Sequence, residues 1–233
     1  MGLISERMML SDVMEDYLKV IYQLERGRDD RIRTSEIAEE LDVTSPTVTS
    51  MIEKLEDRGL VDREKYSGVT LTEEGTTVAI EVVRHHRLLE AYLAEHLDYD
   101  WAEVHEEADR LEHHISENFE ARLVDALEDP SVDPHGSPIP GADLEPPTSP
   151  SGESVAAFGA GDVVIVEEVA DDDPEVLSYL AEHGIEPGVE LDILEVAPFG
   201  MVTTQPADAD DPVSLPESIA EHVRVKSAVS ADQ

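Results

Sequence analysis

The 233-residue chain has no cysteine. Disulfides, thiolate zinc sites, iron–sulfur clusters and thiol catalysis are thereby excluded. It has no apolar run near the roughly 18 residues that span a bilayer. Its first residues, MGLISERMML, lack the basic start and apolar core of a signal peptide, so a cytoplasmic, membrane-free protein is expected. Basic residues are scarce: 16 Lys+Arg face 55 Asp+Glu, for a net charge of −39 and a pI near 4.2. At first sight that argues against nucleic acid, because phosphate binding needs Lys and Arg. What is present is apolar content of 40%, too high for a disordered acidic chain and enough for one to three domains.

The charge is uneven. Residues 1–75 carry 10 basic and 18 acidic side chains, residues 76–140 carry 4 and 16, and residues 141–233 carry 2 and 21. The first third thus holds most of the cations. Acid excess in every segment suggests adaptation to high intracellular salt, where screening shrinks charge repulsion. A halophilic source is expected.

Apolar spacing predicts an amphipathic helix over 11–26, a short helix over 34–41, and a third over 45–58 with Pro46 in its first turn and Gly59 beyond its end. Residues 60–72 read as two short strands around a Tyr-Ser-Gly turn. Longer helices are predicted from Glu73 to about Asp98 and from about Trp101 to Leu127. Residues 129–154 are rich in Pro, Gly and Ser, and their second half reads as a linker. Short β-rich runs at 162–169, 189–196, 201–204 and 222–226, with a helical insert at 175–183, predict a small barrel. The expected domains are therefore 1–75, 76–141 and 155–228, with a linker at 142–154.

Helix, short helix, turn, helix and hairpin form the pattern of a winged helix-turn-helix, which places its third helix in the DNA major groove. That helix begins Thr44-Ser45-Pro46-Thr47-Val48-Thr49-Ser50. Small hydroxyl side chains can meet phosphates or thymine methyls, with Thr47, Thr49 and Ser50 outward and Val48 inward. Arg33, Lys54, Arg63 and Lys65 can supply phosphate contacts, with Lys65 and Tyr66 at the wing tip.

Six of nine histidines fall between residues 85 and 114. His86 and Glu90 are spaced i, i+4. His105, Asp109, Glu112 and His113 share one face of a continuous helix. Such a polar face is costly to pack unless a cation joins it, and Asp16 on the first helix could close the site. An all oxygen-and-nitrogen set suits Mn(II), Fe(II), Co(II) or Zn(II).

These pieces, with MEDYLKVIYQLE, IAEELDVTSPTVTSMIEKLEDRGLV, RHHRLLEAYL, VHEEADRLEHHIS and DPHGSPIPG, resemble the diphtheria toxin repressor family in its three-domain form. GIEPGVELDILEVAPFG resembles the SH3-like domain of FeoA-type ferrous-transport proteins. The resemblance implies a mainly α chain with a winged helix-turn-helix, a helical dimerisation and metal-binding domain and a FeoA-type β-barrel. It implies a homodimer that binds a palindromic double-stranded DNA operator when loaded with metal. By position, Asp16, Asp109, Glu112 and His113 match the activating site, and His86, Glu90 and His105 the neighbouring one, with His86 able to serve either. Iron-type members have Met and Cys where this chain has Asp16 and Asp109. The hard ligand set predicts Mn(II) as effector, with Fe(II) second. Lys19 stands where manganese-type relatives have a ligating Glu. Asp173 and Glu175 are weak candidates for a ligand from the C-terminal domain.

Rival classes are a winged-helix regulator sensing an organic ligand, a metal-dependent hydrolase, and a metal-delivery partner acting through the β-barrel. The first predicts an apolar cavity and leaves the polar helix face without a purpose. The second lacks a Gly-rich phosphate loop or a His-Glu-x-x-His motif.

Overall fold

The computed structural model describes residues 10–28, 30–65, 67–101, 103–148, 152–170, 173–207, 209 and 211–228. Its backbone forms two compact units. The first comprises the chain to His85 with Glu112–Ile115 and Pro140–Pro146, and the second comprises His86–Leu111, Ser116–Ile139 and the chain from Pro147.

In the first unit, α1 (Asp12–Glu25), α2 (Thr34–Glu40) and α3 (Ser45–Asp57) precede a hairpin of β1 (Val61–Glu64) and β2 (Gly68–Leu71). Tyr17, Leu18 and Ile21 of α1, Ile37 of α2, Val48, Ile52 and Leu55 of α3, and Val69 of β2 bury one shared core. Burying each large aliphatic there stabilises the fold by about 1.5–3 kcal/mol. Thr44 is the N-cap of α3, and Pro46 lies in its first turn, where its missing N–H costs nothing. The wing pairs antiparallel, Val61 opposite Leu71, and Ile32 bridges to Val69. This is the expected winged helix-turn-helix.

α4 (Glu73–Leu97) starts against the wing. Gly75 is required there, because a Cβ would sit 1.9 Å from the Leu60 carbonyl oxygen. The single helix expected over 101–127 is a correction. The chain forms α5 (Val104–Leu111), a 3-10 turn at Glu112–His114, and α6 (Glu117–Ala126). Ser116 restarts the helix by accepting a hydrogen bond from the Phe119 amide.

In the second unit, β3 (Glu153–Ser154), β4 (Val163–Val169), β5 (Glu190–Val196), β6 (Val202–Pro206), β7 (Val213–Leu215) and β8 (Val223–Ser227) form one sheet in the order β3-β8-β4-β5-β6-β7. Two helices accompany it, α7 (Pro174–Glu182) and α8 (Glu217–Ala220). The described residues leave β3 and β7 unpaired with each other, so the sheet is open rather than a closed barrel. β3 falls inside the expected linker. A register shift in β4 gives two successive buried positions, Glu168 and Val169. The 132–139 loop is fastened to this strand. Val169 N donates to the His135 carbonyl at 2.9 Å, and Ser137 Oγ donates to Glu168 Oε1 at 2.6 Å.

Candidate metal centre and nucleic-acid interface

In the first unit, Asp16, Glu112 and His113 converge, each offering a ligand atom within 4.8 Å of the others. Asp16 comes from α1, and the other two from the 3-10 turn. His85, buried on α4, lies with Nδ1 3.2 Å from the Glu112 carbonyl oxygen and so anchors that turn. His113 Nε2 is 2.9 Å from Asp16 Oδ1 and Nδ1 is 2.7 Å from Glu15 Oε2. Burial disfavours the charged imidazolium. Hydrogen bonds to Asp16 and Glu15 and the charge of Glu112 outweigh that, and push the His113 pKa up to about 10. Lys19 Nζ grips both Glu112 oxygens, at 2.8 and 3.2 Å. Lys19 and Glu15 were not singled out as partners of this cluster by spacing. Their signal was burial of charge on the inner face of an otherwise apolar helix.

In the second unit, His86, His105 and Asp109 form a second cluster. His86 Nδ1 lies 3.2 Å and His105 Nε2 3.5 Å from Asp109. Asp109, assigned by resemblance to the activating set, is thus grouped with these histidines. α5 ends at Leu111, so Glu112 and His113 leave the helix face on which Asp109 remains. Glu90 joins the cluster through Oε1, 3.0 Å from His86 Nε2 and 3.1 Å from His105 Nδ1.

Its other oxygen points into a third cluster, Glu90, Asp133 and His135, all buried. His135 Nδ1 lies 3.8 Å from Glu90 Oε2, too far for a hydrogen bond. Glu90 Oε2 is buried with no hydrogen bond. Burial alone would raise the Glu90 carboxyl. The charge of His86 and the hydrogen bonds from His105 and His86 reverse this and hold it well below the usual carboxylate range. Asp133 and His135 were missed as candidate ligands, although Asp-Pro-His-Gly-Ser-Pro is a compact acid–imidazole pair inside a proline-bounded loop. Arg87 supports the loop, its Nη1 donating to the Pro138 carbonyl at 2.5 Å and its Nε lying 3.4 Å from Asp133 Oδ2. Asp173 and Glu175 join no cluster among the described residues. Asp173 instead caps α7, accepting from the Glu175 and Val176 amides.

These donor sets fit a borderline-to-hard divalent ion. Each mixes imidazole with carboxylate, none contains sulfur, and in the third the buried Glu90 Oε2 accepts no hydrogen bond.

On the opposite chemistry, α3 presents its N-terminal turn outward. Thr44, Ser45, Pro46, Thr47 and Ser50 are exposed, Thr49 is half-buried and Val48 is buried. Thr44 and Thr47 share a 2.9 Å hydroxyl contact, and the Thr49 hydroxyl donates to the Ser45 carbonyl at 3.0 Å. Arg33 precedes α2, Lys54 lies on α3, and Arg63 and Lys65 lie in and after β1. Tyr66 lies outside the described residues.

Known proteins place this arrangement. The model of the iron dependent repressor N-terminal DNA-binding domain matches residues 9–69, its metal-binding and dimerisation domain residues 72–141, and the FeoA domain residues 154–227. The iron-dependent repressor IdeR of Mycobacterium tuberculosis is 34% identical over 93% of this chain and 98% of its own. The chain belongs to this repressor family. The diphtheria toxin repressor of Corynebacterium glutamicum is 35% identical over 93% of this chain and 97% of its own. A solved structure described as a manganese-dependent transcriptional repressor complex with manganese superimposes with a TM-score of 0.84 at 39% identity, covering 92% of this chain and 99% of that one. The family is one of metal-dependent transcriptional repressors, not of enzymes. No described helix of this repressor-family chain is long and apolar enough to cross a membrane.

Proposed function

We propose that the chain is a homodimeric, cytoplasmic repressor that binds palindromic operators of metal-uptake genes when Mn(II), or secondarily Fe(II), is plentiful. The observation that carries this reading is the meeting of Asp16, on the first helix of the DNA-reading fold, with Glu112 and His113 on a separate turn. Asp16, Glu112 and His113 would hold a divalent ion, which would supply the positive charge these acids need to stay together without a proton on His113. Asp16 then ties α1 to the turn. Without that charge, Asp16, Glu15 and Glu112 rely on the His113 proton and on Lys19. The helices that follow α1 share its core, so fixing α1 favours the DNA-competent state of the whole fold. The exposed start of α3 supports the major-groove reading, with Thr44, Ser45, Pro46, Thr47 and Ser50 at the bases and Arg33, Lys54, Arg63 and Lys65 at phosphates.

All three clusters lack sulfur, which supports Mn(II) over later metals. The Lys19 ammonium on Glu112 supports a single ion at the first cluster. A gel-shift titration tests the reading. The wild type is expected to retard operator DNA only with Mn(II) or Fe(II), and Asp16→Ala to lose that response. An Asp16→Ala protein that binds equally with and without Mn(II) would refute the switch.

A further inference from the structure

We propose that the DNA face carries its own competitors for phosphate: Glu36, Glu53 and Asp62 occupy the guanidinium groups of Arg28, Arg63 and Arg31, and the DNA backbone binds by displacing them. The inference rests on the DNA-binding reading above.

Arg28 Nη1 lies 2.5 Å from Glu36 Oε1. Arg31 Nη2 lies 2.5 Å from Asp62 Oδ2, its Nε 3.4 Å from Glu64 Oε2, and its Nη1 donates to the Asp62 carbonyl at 2.7 Å. Arg63 Nη1 lies 3.0 Å from Glu53 Oε1. Glu36 belongs to α2, Glu53 to the groove-facing helix α3, and Asp62 and Arg63 to the wing strand β1. The pairs therefore involve α2, α3 and β1. Arg28, Asp30, Arg31, Arg33, Glu36 and Ser67 border an open cleft of about 460 Å³ beside the wing, where a backbone phosphate would meet three arginines and two acids.

Each pair has one well-exposed partner, Arg28, Asp62 or Glu53, so each ion pair holds weakly and is exchangeable, although Glu36 Oε2 also accepts from the Arg33 amide at 3.0 Å at the start of α2. A phosphate that meets a bare guanidinium releases about 0.9 of a condensed cation per contact, which makes affinity fall with salt. A phosphate that first evicts a carboxylate leaves that carboxylate to gather a cation from solution. Uptake offsets release, and the salt dependence flattens. The acids of this face thus set the salt range over which the protein reads DNA. They lower affinity in dilute solution and preserve it in concentrated salt. A generally negative coat would do neither selectively, because its field is screened at the salt levels concerned.

The test uses the full-length protein loaded with Mn(II) and a short duplex that the wild type selects from a random library. Anisotropy titrations are run from dilute to molar KCl. Glu36→Gln/Glu53→Gln/Asp62→Asn is compared with Glu39→Gln/Glu56→Gln/Asp57→Asn, which removes the same charge from exposed positions of α2 and α3. The first variant is expected to steepen the slope of log K against log salt by about 0.9 for each of Arg28 and Arg63, and by less for Arg31, which keeps Glu64 at 3.4 Å, and to bind at least about tenfold tighter in dilute salt. The second is expected to keep the wild-type slope. Glu53→Gln alone, a change on the helix surface, is expected to steepen it by about 0.9, which reads the idea even if the triple variant folds poorly. Equal slopes in both triple variants, or an unchanged slope in Glu53→Gln, overturn the proposal while leaving the repressor reading intact. A wild type that selects no duplex overturns the repressor reading itself.

Discussion

His113 is where, on the proposed reading, proton and metal would compete for one imidazole. In the metal-free protein its pKa lies near 10, above the ordinary 6.5. The folded state therefore binds the proton more tightly than the unfolded chain. Its stabilisation is fully present below about pH 6.5 and is lost as pH rises towards 10. Melting temperature of the chelated protein is expected to fall over that window, and His113→Gln to flatten the fall. A similar balance holds at Lys19, whose ammonium is the resident cation of buried Glu112. Lys19→Met is expected to cost the chelated protein about 3–5 kcal/mol in urea denaturation, the range for breaking a buried pair. Mn(II) should restore most of it. An equal loss with and without Mn(II) would show that ammonium and metal do not act on the same carboxylate.

At the scale of elements, periodicity and punctuation made the winged helix-turn-helix legible. Pro46 in the first helical turn, Gly59 beyond the last and alternating wing residues are local signals that agree with the packing of Val48, Ile52 and Leu55. The helix from 101 to 127 was misread because nothing between Glu112 and Ser116 is a strong breaker. The 3-10 turn there is held from outside, by His85 on the Glu112 carbonyl and by Asp16 and Glu15 on His113. Long-range contacts of that kind leave no trace in local spacing. For the same reason residues 105–113 were read as one helix face, with Asp109 placed beside Glu112 and His113 by the resemblance, whereas Asp109 gathers with His86 and His105. The 132–139 loop was placed in the 76–141 domain, but its residues were not picked out as candidate ligands, since its burial depends on distant β4. Gly136 makes that dependence testable. It has φ +88, and a Cβ there would lie 2.0 Å from the Glu167 carbonyl oxygen. Gly136→Ala is expected to cost at least about 1–3 kcal/mol by overpacking. It should also lower the number of Mn(II) ions bound at saturation, read by equilibrium dialysis and a thermal melt.

For the whole molecule, the charge of −39 is not a coat laid evenly over the fold. Part of it gathers in three clusters built around imidazoles, part answers arginines on the DNA face, and the rest faces solvent. Self-repulsion of the solvent-facing part destabilises the compact state in dilute buffer and is screened as salt rises. The melting temperature of the Mn(II)-loaded protein is therefore expected to climb from dilute to molar KCl. A flat or falling profile would count against adaptation to salt. The fastening of the 132–139 loop to β4 has a consequence for how this gene can be cut and rejoined. His135 offers its imidazole to one cluster and its backbone carbonyl to Val169, so the C-terminal sheet is scaffolding for residues encoded well before it. A descendant gene that shed the sheet would keep the codons for Asp133 and His135 but lose the surface that shapes them. Recombination that swaps C-terminal domains between relatives is free to vary the outer face of the sheet, yet is bound to preserve the edge formed by Glu168 and Val169.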